Sequence, residues 1–297
     1  MNIVQHDKLQ QTLMHIFMII LVLCCVLPFL LMVMASVTDE ETLIRNGYSF
    51  FPEKFSLDTY AYLWKSASTI GRGYVMTIAV TVIGTFCNLV ITLLFAYPLS
   101  RKDLPFRNAI SFFLFFTMLF NGGLVPTYMM YANTFHIKDT IWALIVPGLM
   151  MNAFYVIMMR TFFSTSIPDS LIEAAKLDGA RELKVLTKVV IPLSKPMIVT
   201  QVLMVGLGYW NDWMNGMYYV SDQKLFTIQM ILNNMINNIQ FLSKNAALFG
   251  ADVAAIKTPT VGIRMAIAVL AVLPILIIYP FLQKYFVKGI VIGGVKG

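Results

Sequence analysis

Long apolar runs broken by short polar segments set the first expectation. Six runs stand out, at Leu13–Val37, Tyr74–Leu99, Ala109–Tyr131, Ile141–Phe163, Met197–Val220 and Val261–Phe286. A helix of about 20 apolar residues crosses the hydrocarbon core of a bilayer. Each run reaches that length, so the pattern predicts an all-α integral membrane protein with six transmembrane helices. The first run is longer than the h-region of a secretory signal, about 7–15 residues, and reads as a retained span. No internal repeat or low-complexity linker divides the chain, and residues 1–297 read as a single transmembrane domain.

Three polar segments are long enough to carry structure of their own. Residues 38–73 place Ser56 at a helix N-cap position. Residues 221–260 include "KLFTIQMILNNMINNIQFL", where Ile228, Ile231, Leu232, Met235 and Ile239 recur at helical spacing. An apolar helix face outside the membrane calls for a partner, and Asn234 and Asn238 fall on its other side. Residues 164–196 are the most charged of the three. The third run is interrupted by Asn121-Gly122-Gly123 and by Pro126. Irregular backbone at membrane depth belongs where it is buried in protein or lines a cavity.

Composition supports the membrane class. Hydrophobic residues make up 58% of the chain and charged residues 12%, against about 25% charged in soluble domains. The net charge of +7 is unevenly placed. With the N-terminus inside, the inner segments 1–12, 100–108, 160–196 and 284–297 hold thirteen basic and six acidic residues. The remaining basic and acidic residues cancel, so the excess of Lys and Arg predicts both termini in the cytoplasm. Basic residues scattered over four short segments do not make a nucleic-acid surface. Cys24, Cys25 and Cys87 lie in apolar runs and suit no metal cage, and His6, His15 and His136 show no ligand spacing. The chain has no G-x-x-x-x-G-K-[ST] loop and so no P-loop for ATP of its own, which leaves another subunit or an ion gradient as the energy source.

The charged stretch "EAAKLDGARELKVLTKVVIPLSKP" can be read locally. Pro168 suits a helix start, and Asp169 and Glu173 add negative charge near its positive end. Gly179 ends that helix. A second helix is expected from about Ala180 to Val190, with Leu183, Leu186 and Val190 on one face and Arg181, Lys184 and Lys188 on another. Pro192 and Pro196 are expected to end it. The product is a helix–turn–helix on the cytoplasmic surface. A solvated charged hairpin and a docking element both fit these residues.

The same stretch resembles the EAA loop of membrane subunits of ATP-binding-cassette importers, whose consensus is E-A-A-x3-G-x9-I-x-L-P. Glu173, Ala174, Ala175, Gly179 and Pro192 match, while Val189 and Ile191 replace the Ile and Leu. Arg181 stands where relatives often have Ser, a better cap. "NGGLVPTYMM", "YWNDW" and "GGVKG" extend the resemblance to maltose-type carbohydrate importer permeases, especially the subgroup that takes up complex oligosaccharides. The resemblance implies a type I importer permease fold. It also implies a second homologous permease, an ATPase dimer that holds ATP and Mg, and an extracellular solute-binding protein. No cofactor is implied for this chain. The substrate implied is an oligosaccharide, with plant or algal polysaccharide fragments, including uronates, in view. Glu173, Ala174, Ala175, Asp178, Gly179, Arg181 and Pro192 become the expected ATPase-coupling residues. Gly293, Gly294, Lys296 and Gly297 become an ATPase-contacting tail. A bacterial or archaeal cytoplasmic membrane is the expected location.

The substrate pathway is expected at Asn121, Trp210, Asn211, Asp212, Trp213 and Tyr218. Asp212 falls in the outer half of the fifth run, where an acid should face a cavity or a partner. Aromatic rings there suit an interfacial belt, and their flat faces also suit stacking on sugars. An ion-coupled transporter using Asp212 is the alternative, although no inverted repeat is visible. No clustered His, Ser or carboxylate constellation suggests an enzyme.

Overall fold

A computed structural model describes residues 2–245 and 261–293. The described residues are helical, with no strand beyond one antiparallel bridge between Thr38 and Phe55. Three helices are long and apolar enough to cross a bilayer unaided: α1 (Asn2–Ser36), α4 (Ala67–Ser100) and the last helix, α15 (Val261–Gly293). Between α1 and α4 lie α2 (Glu40–Asn46) and α3 (Asp58–Trp64).

The middle runs are not straight helices. The third becomes α5 (Arg107–Leu119) and α6 (Leu124–Met129), the latter continuing in a wide π turn to Thr134, and the pair is bent by 112°. The fourth becomes α7 (Trp142–Ile145) and α8 (Ala153–Ser166), separated by irregular backbone. After α9 (Asp169–Leu177) comes α10 (Glu182–Val185), a π turn at Leu186–Val190 and α11 (Ile191–Leu193). The fifth run is α12 (Lys195–Asn211), bent by 84° from the helical segment before it, and then α13 (Met214–Tyr219). A 3-10 turn at Gln223–Leu225 leads to α14 (Ile228–Asn245).

Why the fourth run breaks is visible in its hydrogen bonds. Pro147 has no N–H, and Gly148 sits at φ +72°. Three carbonyls in the gap then need donors, since unpaired backbone is costly in a membrane. Tyr209 Oη donates to the Ile145 carbonyl at 2.8 Å, Asn215 Nδ2 to Pro147 at 2.9 Å and Asn88 Nδ2 to Leu149 at 2.8 Å. Asn88 Oδ1 in turn accepts from Gln201 Nε2 at 2.9 Å. Tyr209 lies flat on Gly84, where a side chain would overlap its ring.

The described residues fall into two compact units: those of Met1–Thr69 and Leu232–Ile275, and those of Ile70–Ile231 and Leu276–Gly297. In the first, the apolar faces of α1 are exposed all round from Leu13 to Leu23, as a lipid-facing helix requires. Ser36 Oγ and Tyr60 Oη lie 2.8 Å apart, and the Glu40 carboxylate accepts the N–H groups of Val261 and Gly262 at 2.8 and 2.9 Å, capping α15. The second unit has two apolar clusters. One joins Leu93, Tyr97, Leu114, Val156, Met159, Ile172, Val185 and Val190; the other joins Val80, Leu144, Val205, Tyr209, Tyr219 and Met230.

The amphipathic helix expected after residue 221 is α14. Ile228, Met230 and Ile231 are buried, with Ile231 against Gly73 and Met230 against Gly216. The first turns of its apolar face therefore pack on this chain itself. Asn234 and Asn238 are exposed, as their place off the stripe requires.

Candidate functional site

The charged hairpin is built as a rigid projection. α9 ends in a Schellman turn: Gly179 N–H donates to Lys176 O and Ala180 N–H to Ala175 O, both at 2.9 Å. Gly179 holds φ +77°, a region that L side chains rarely adopt. Ile172 from α9 and Val185, Leu186 and Val190 from the second limb enter the apolar cluster. Leu183, expected on that buried face, is instead 65% exposed, because the inward stripe runs through Val185.

The second limb also continues past Pro192 to Leu193, and the break comes at Ser194. A proline ring ordinarily clashes with the carbonyl four residues earlier. Here the preceding π turn, in which Ile191 N–H reaches Leu186 O, widens the helix before the ring arrives. Arg181 provides the N-cap position without a side-chain cap, as expected from its chemistry. Glu182 supplies the anchor instead: its carboxylate takes Lys176 Nζ and Tyr97 Oη, each at 2.5 Å. Asp169, at the start of α9, is paired with Lys102 at 3.2 Å and Arg101 at 3.5 Å.

The tip is what remains free. Glu173, Ala174, Asp178 and Arg181 are exposed, and Ala175 is half-buried. Glu173 makes no ion pair among the described residues. Leu177 is 90% exposed beside it. A cleft of about 450 Å³ opens at the hairpin base between Tyr97, Arg101, Leu104, Glu182 and Leu183.

The residues expected along the substrate path are scattered in role. Trp210 is buried and tilted against Tyr74, with ring centroids 6.4 Å apart. Asn211 is exposed and donates to Leu207 O at 2.9 Å; Trp213 is exposed and Tyr218 half-buried. Asp212 Oδ1 accepts the N–H groups of Met214 and Asn215 at 3.1 and 3.2 Å, so its carboxylate starts α13. Asn121 sits in the bend between α5 and α6, where its side chain accepts the Gly123 N–H at 2.9 Å. Sequence reasoning missed Tyr128 and Tyr131, which meet Tyr219 stacked at 5.5 Å and edge-on at 6.0 Å. It also missed Asp139, whose carboxylate accepts the N–H groups of Ser221 and Asp222.

Residues 89–292 match the family described as binding-protein-dependent transport system inner membrane component. The chain belongs to this family. It is therefore a membrane-embedded permease subunit of an ATP-binding-cassette importer, and not an enzyme. It is 37% identical over 291 residues to the polygalacturonan/rhamnogalacturonan transport system permease protein YtcP of Bacillus subtilis, covering 98% of this chain and 99% of that one. It is 39% identical over 272 residues to protein LplC of the same species, covering 92% and 90%. A crystal structure of a bacterial ABC transporter involved in import of the acidic polysaccharide alginate shares the fold. That chain has a TM-score of 0.79 and 28% identity, with 95% of this chain and 98% of that chain covered.

Membership gives the permease its general company: another permease, an ATPase and a solute-binding protein. It gives no support to the ion-coupled alternative, and the capping role of Asp212 already assigns that carboxylate a structural task. Of the expected tail, Gly293 closes α15, while Gly294, Lys296 and Gly297 lie outside the described residues.

Proposed function

We propose that this permease is one of two membrane subunits of an ATP-driven importer of oligosaccharides, with acidic fragments of plant or algal polysaccharides as the favoured class. The named substrates of its relatives, polygalacturonan, rhamnogalacturonan and alginate, support that class. The chain forms one permease domain that crosses the membrane six times, with the bent pairs and the α7–α8 segment as its broken crossings. Both termini lie in the cytoplasm, in keeping with the basic excess of the inner segments.

The observation that carries this reading is the hairpin tip. A free carboxylate, small neighbours and an exposed leucine project from a turn that is locked below by Glu182. Such a tip suits a socket on an ATPase subunit, where Glu173 meets a cation and Ala174 and Ala175 allow close approach. Closure of the ATPase dimer on ATP and Mg then moves the hairpin and, through Tyr97, α4. The cavity opens outward beneath a loaded binding protein. The ATPase-contacting role expected of Gly293, Gly294, Lys296 and Gly297 belongs to this reading, and Asn121, Asn211, Trp213 and Tyr218 line the outer path.

Uptake in proteoliposomes carrying the whole complex tests the function. Labelled oligogalacturonates should enter only with internal ATP and binding protein, and a proton ionophore should have no effect. Uptake that ignores ATP and collapses with the ionophore would reject the proposal.

A further inference from the structure

Two arginines converge at the Ser100 end of α4. Arg107 Nε donates to the Leu99 carbonyl at 2.9 Å, and Arg160 Nε donates to the same oxygen at 3.2 Å. Arg107 opens α5 and Arg160 lies on α8, so three helices meet there. Both side chains belong to half-buried residues. One neutral carbonyl accepts two of the ten guanidinium N–H groups and cancels neither charge.

Among the described residues no carboxylate completes the pair. Among the described residues neither arginine forms an ion pair. The nearby acids are engaged elsewhere: Asp169 by Arg101 and Lys102, Asp103 by Arg101 and Glu182 by Lys176. Two like charges held this close at the end of membrane helices are costly without an anion.

The surface beside them says which anion. Phe106, Ile110 and Phe113 are 82%, 37% and 64% exposed. Ile110 and Phe113, three residues apart, share a face of α5 that leads away from Arg107, and Phe106 stands just before the helix in a left-handed conformation. The site thus has a cationic head and an apolar strip running away from it. A free phosphate or a nucleotide would use only the first.

We propose that Arg107 and Arg160 hold the phosphodiester headgroup of an anionic phospholipid, with an acyl chain along Phe106, Ile110 and Phe113. The unused guanidinium N–H groups form the planar forks that match phosphate oxygens. The lipid supplies the missing negative charge and joins α4, α5 and α8 at their common end. The site is independent of the transported substrate.

Native mass spectrometry of the purified complex, titrated with phosphatidylglycerol or phosphatidylcholine, tests this. The wild type should retain one phosphatidylglycerol that Arg107→Gln/Arg160→Gln loses, with affinity weakened about tenfold or more. Phosphatidylcholine should bind both proteins equally. Each single variant leaves one donor on Leu99 and should show an intermediate loss with unchanged melting in lipid-free detergent, which decides the matter if the double variant fails to fold. Inorganic phosphate should not displace the lipid. Equal phosphatidylglycerol retention by wild type and variants overturns the proposal, and so does displacement by inorganic phosphate, which would make this a free-anion site.

Discussion

The Tyr97 phenol on α4 donates to the Glu182 carboxylate on the second limb of the hairpin at 2.5 Å. The other carboxylate oxygen receives Lys176 from the first limb, also at 2.5 Å. One side chain therefore ties both limbs to a membrane helix. Tyr97 is buried in the apolar cluster, so the hairpin is tied to α4 at a fixed point.

Removing the phenol should loosen that point. A hydrogen bond to a charged group contributes about 1.5–3 kcal/mol. Tyr97→Phe should lower stability by up to that amount and speed hydrogen exchange of the amides in 182–190. Exchange unchanged from wild type would show that the bond does not hold the hairpin.

Gly179→Val should be worse for docking than Gly179→Asn. Glycine holds φ +77° there, where β-branched side chains are strained and asparagine is tolerated. No neighbour crowds the position, so the effect is conformational. Less ATPase should co-purify with the valine variant, while asparagine retains most of it. Equal recovery with all three proteins would contradict the turn's role.

Both the hairpin and its glycine were legible in the sequence, because capping and periodicity are local signals. So were α1, α4, α15 and the amphipathic α14. The broken fourth span was not. The run Ile141–Phe163 reads as one span, and the donors that make its break at Pro147-Gly148 tolerable, Asn88, Tyr209 and Asn215, lie 61 to 68 residues away. Tyr97 and Glu182 are 85 residues apart, and Gln201 and Asn88 are 113 apart. No local pattern encodes such pairs. Asp212 reads as a membrane acid that should face a cavity or a partner; that two backbone N–H groups of the following turn also engage it was not foreseen.

Packing around that break gives a third test. A Cβ built on Gly84 would lie 2.6 Å from Tyr209 Cε1. Gly84→Ala should therefore displace the ring and destabilise the protein by about 1–3 kcal/mol, as overpacking does. Tyr209→Phe leaves the Ile145 carbonyl without its donor and should cost about 1–3 kcal/mol. Thermal melting in detergent measures both, and wild-type values would refute the packing argument.

Acid should release the contact at Asp139. The backbone N–H groups of Ser221 and Asp222 hold the Asp139 carboxyl below its ordinary range. A folded-state value lower than the unfolded one stabilises the fold above the unfolded value, about 3.9. That contribution is lost as pH falls through the lower folded value. Protection of the Ser221 and Asp222 amides should drop in that window for the wild type and be weak at every pH in Asp139→Ala. Protection that is the same in both proteins at neutral pH would remove the carboxylate from the account.

If the hairpin tip couples the permease to its ATPase, the exposed Glu173 carboxylate is the contact that does so. The decisive measurement is oligogalacturonate uptake by proteoliposomes of the full complex, comparing wild type with Glu173→Ala at equal insertion. A desolvated interface ion pair that loses one partner costs about 3–5 kcal/mol. Uptake should fall about tenfold or more, with less ATPase retained on the permease. Normal uptake by the alanine variant at normal insertion would contradict coupling through Glu173.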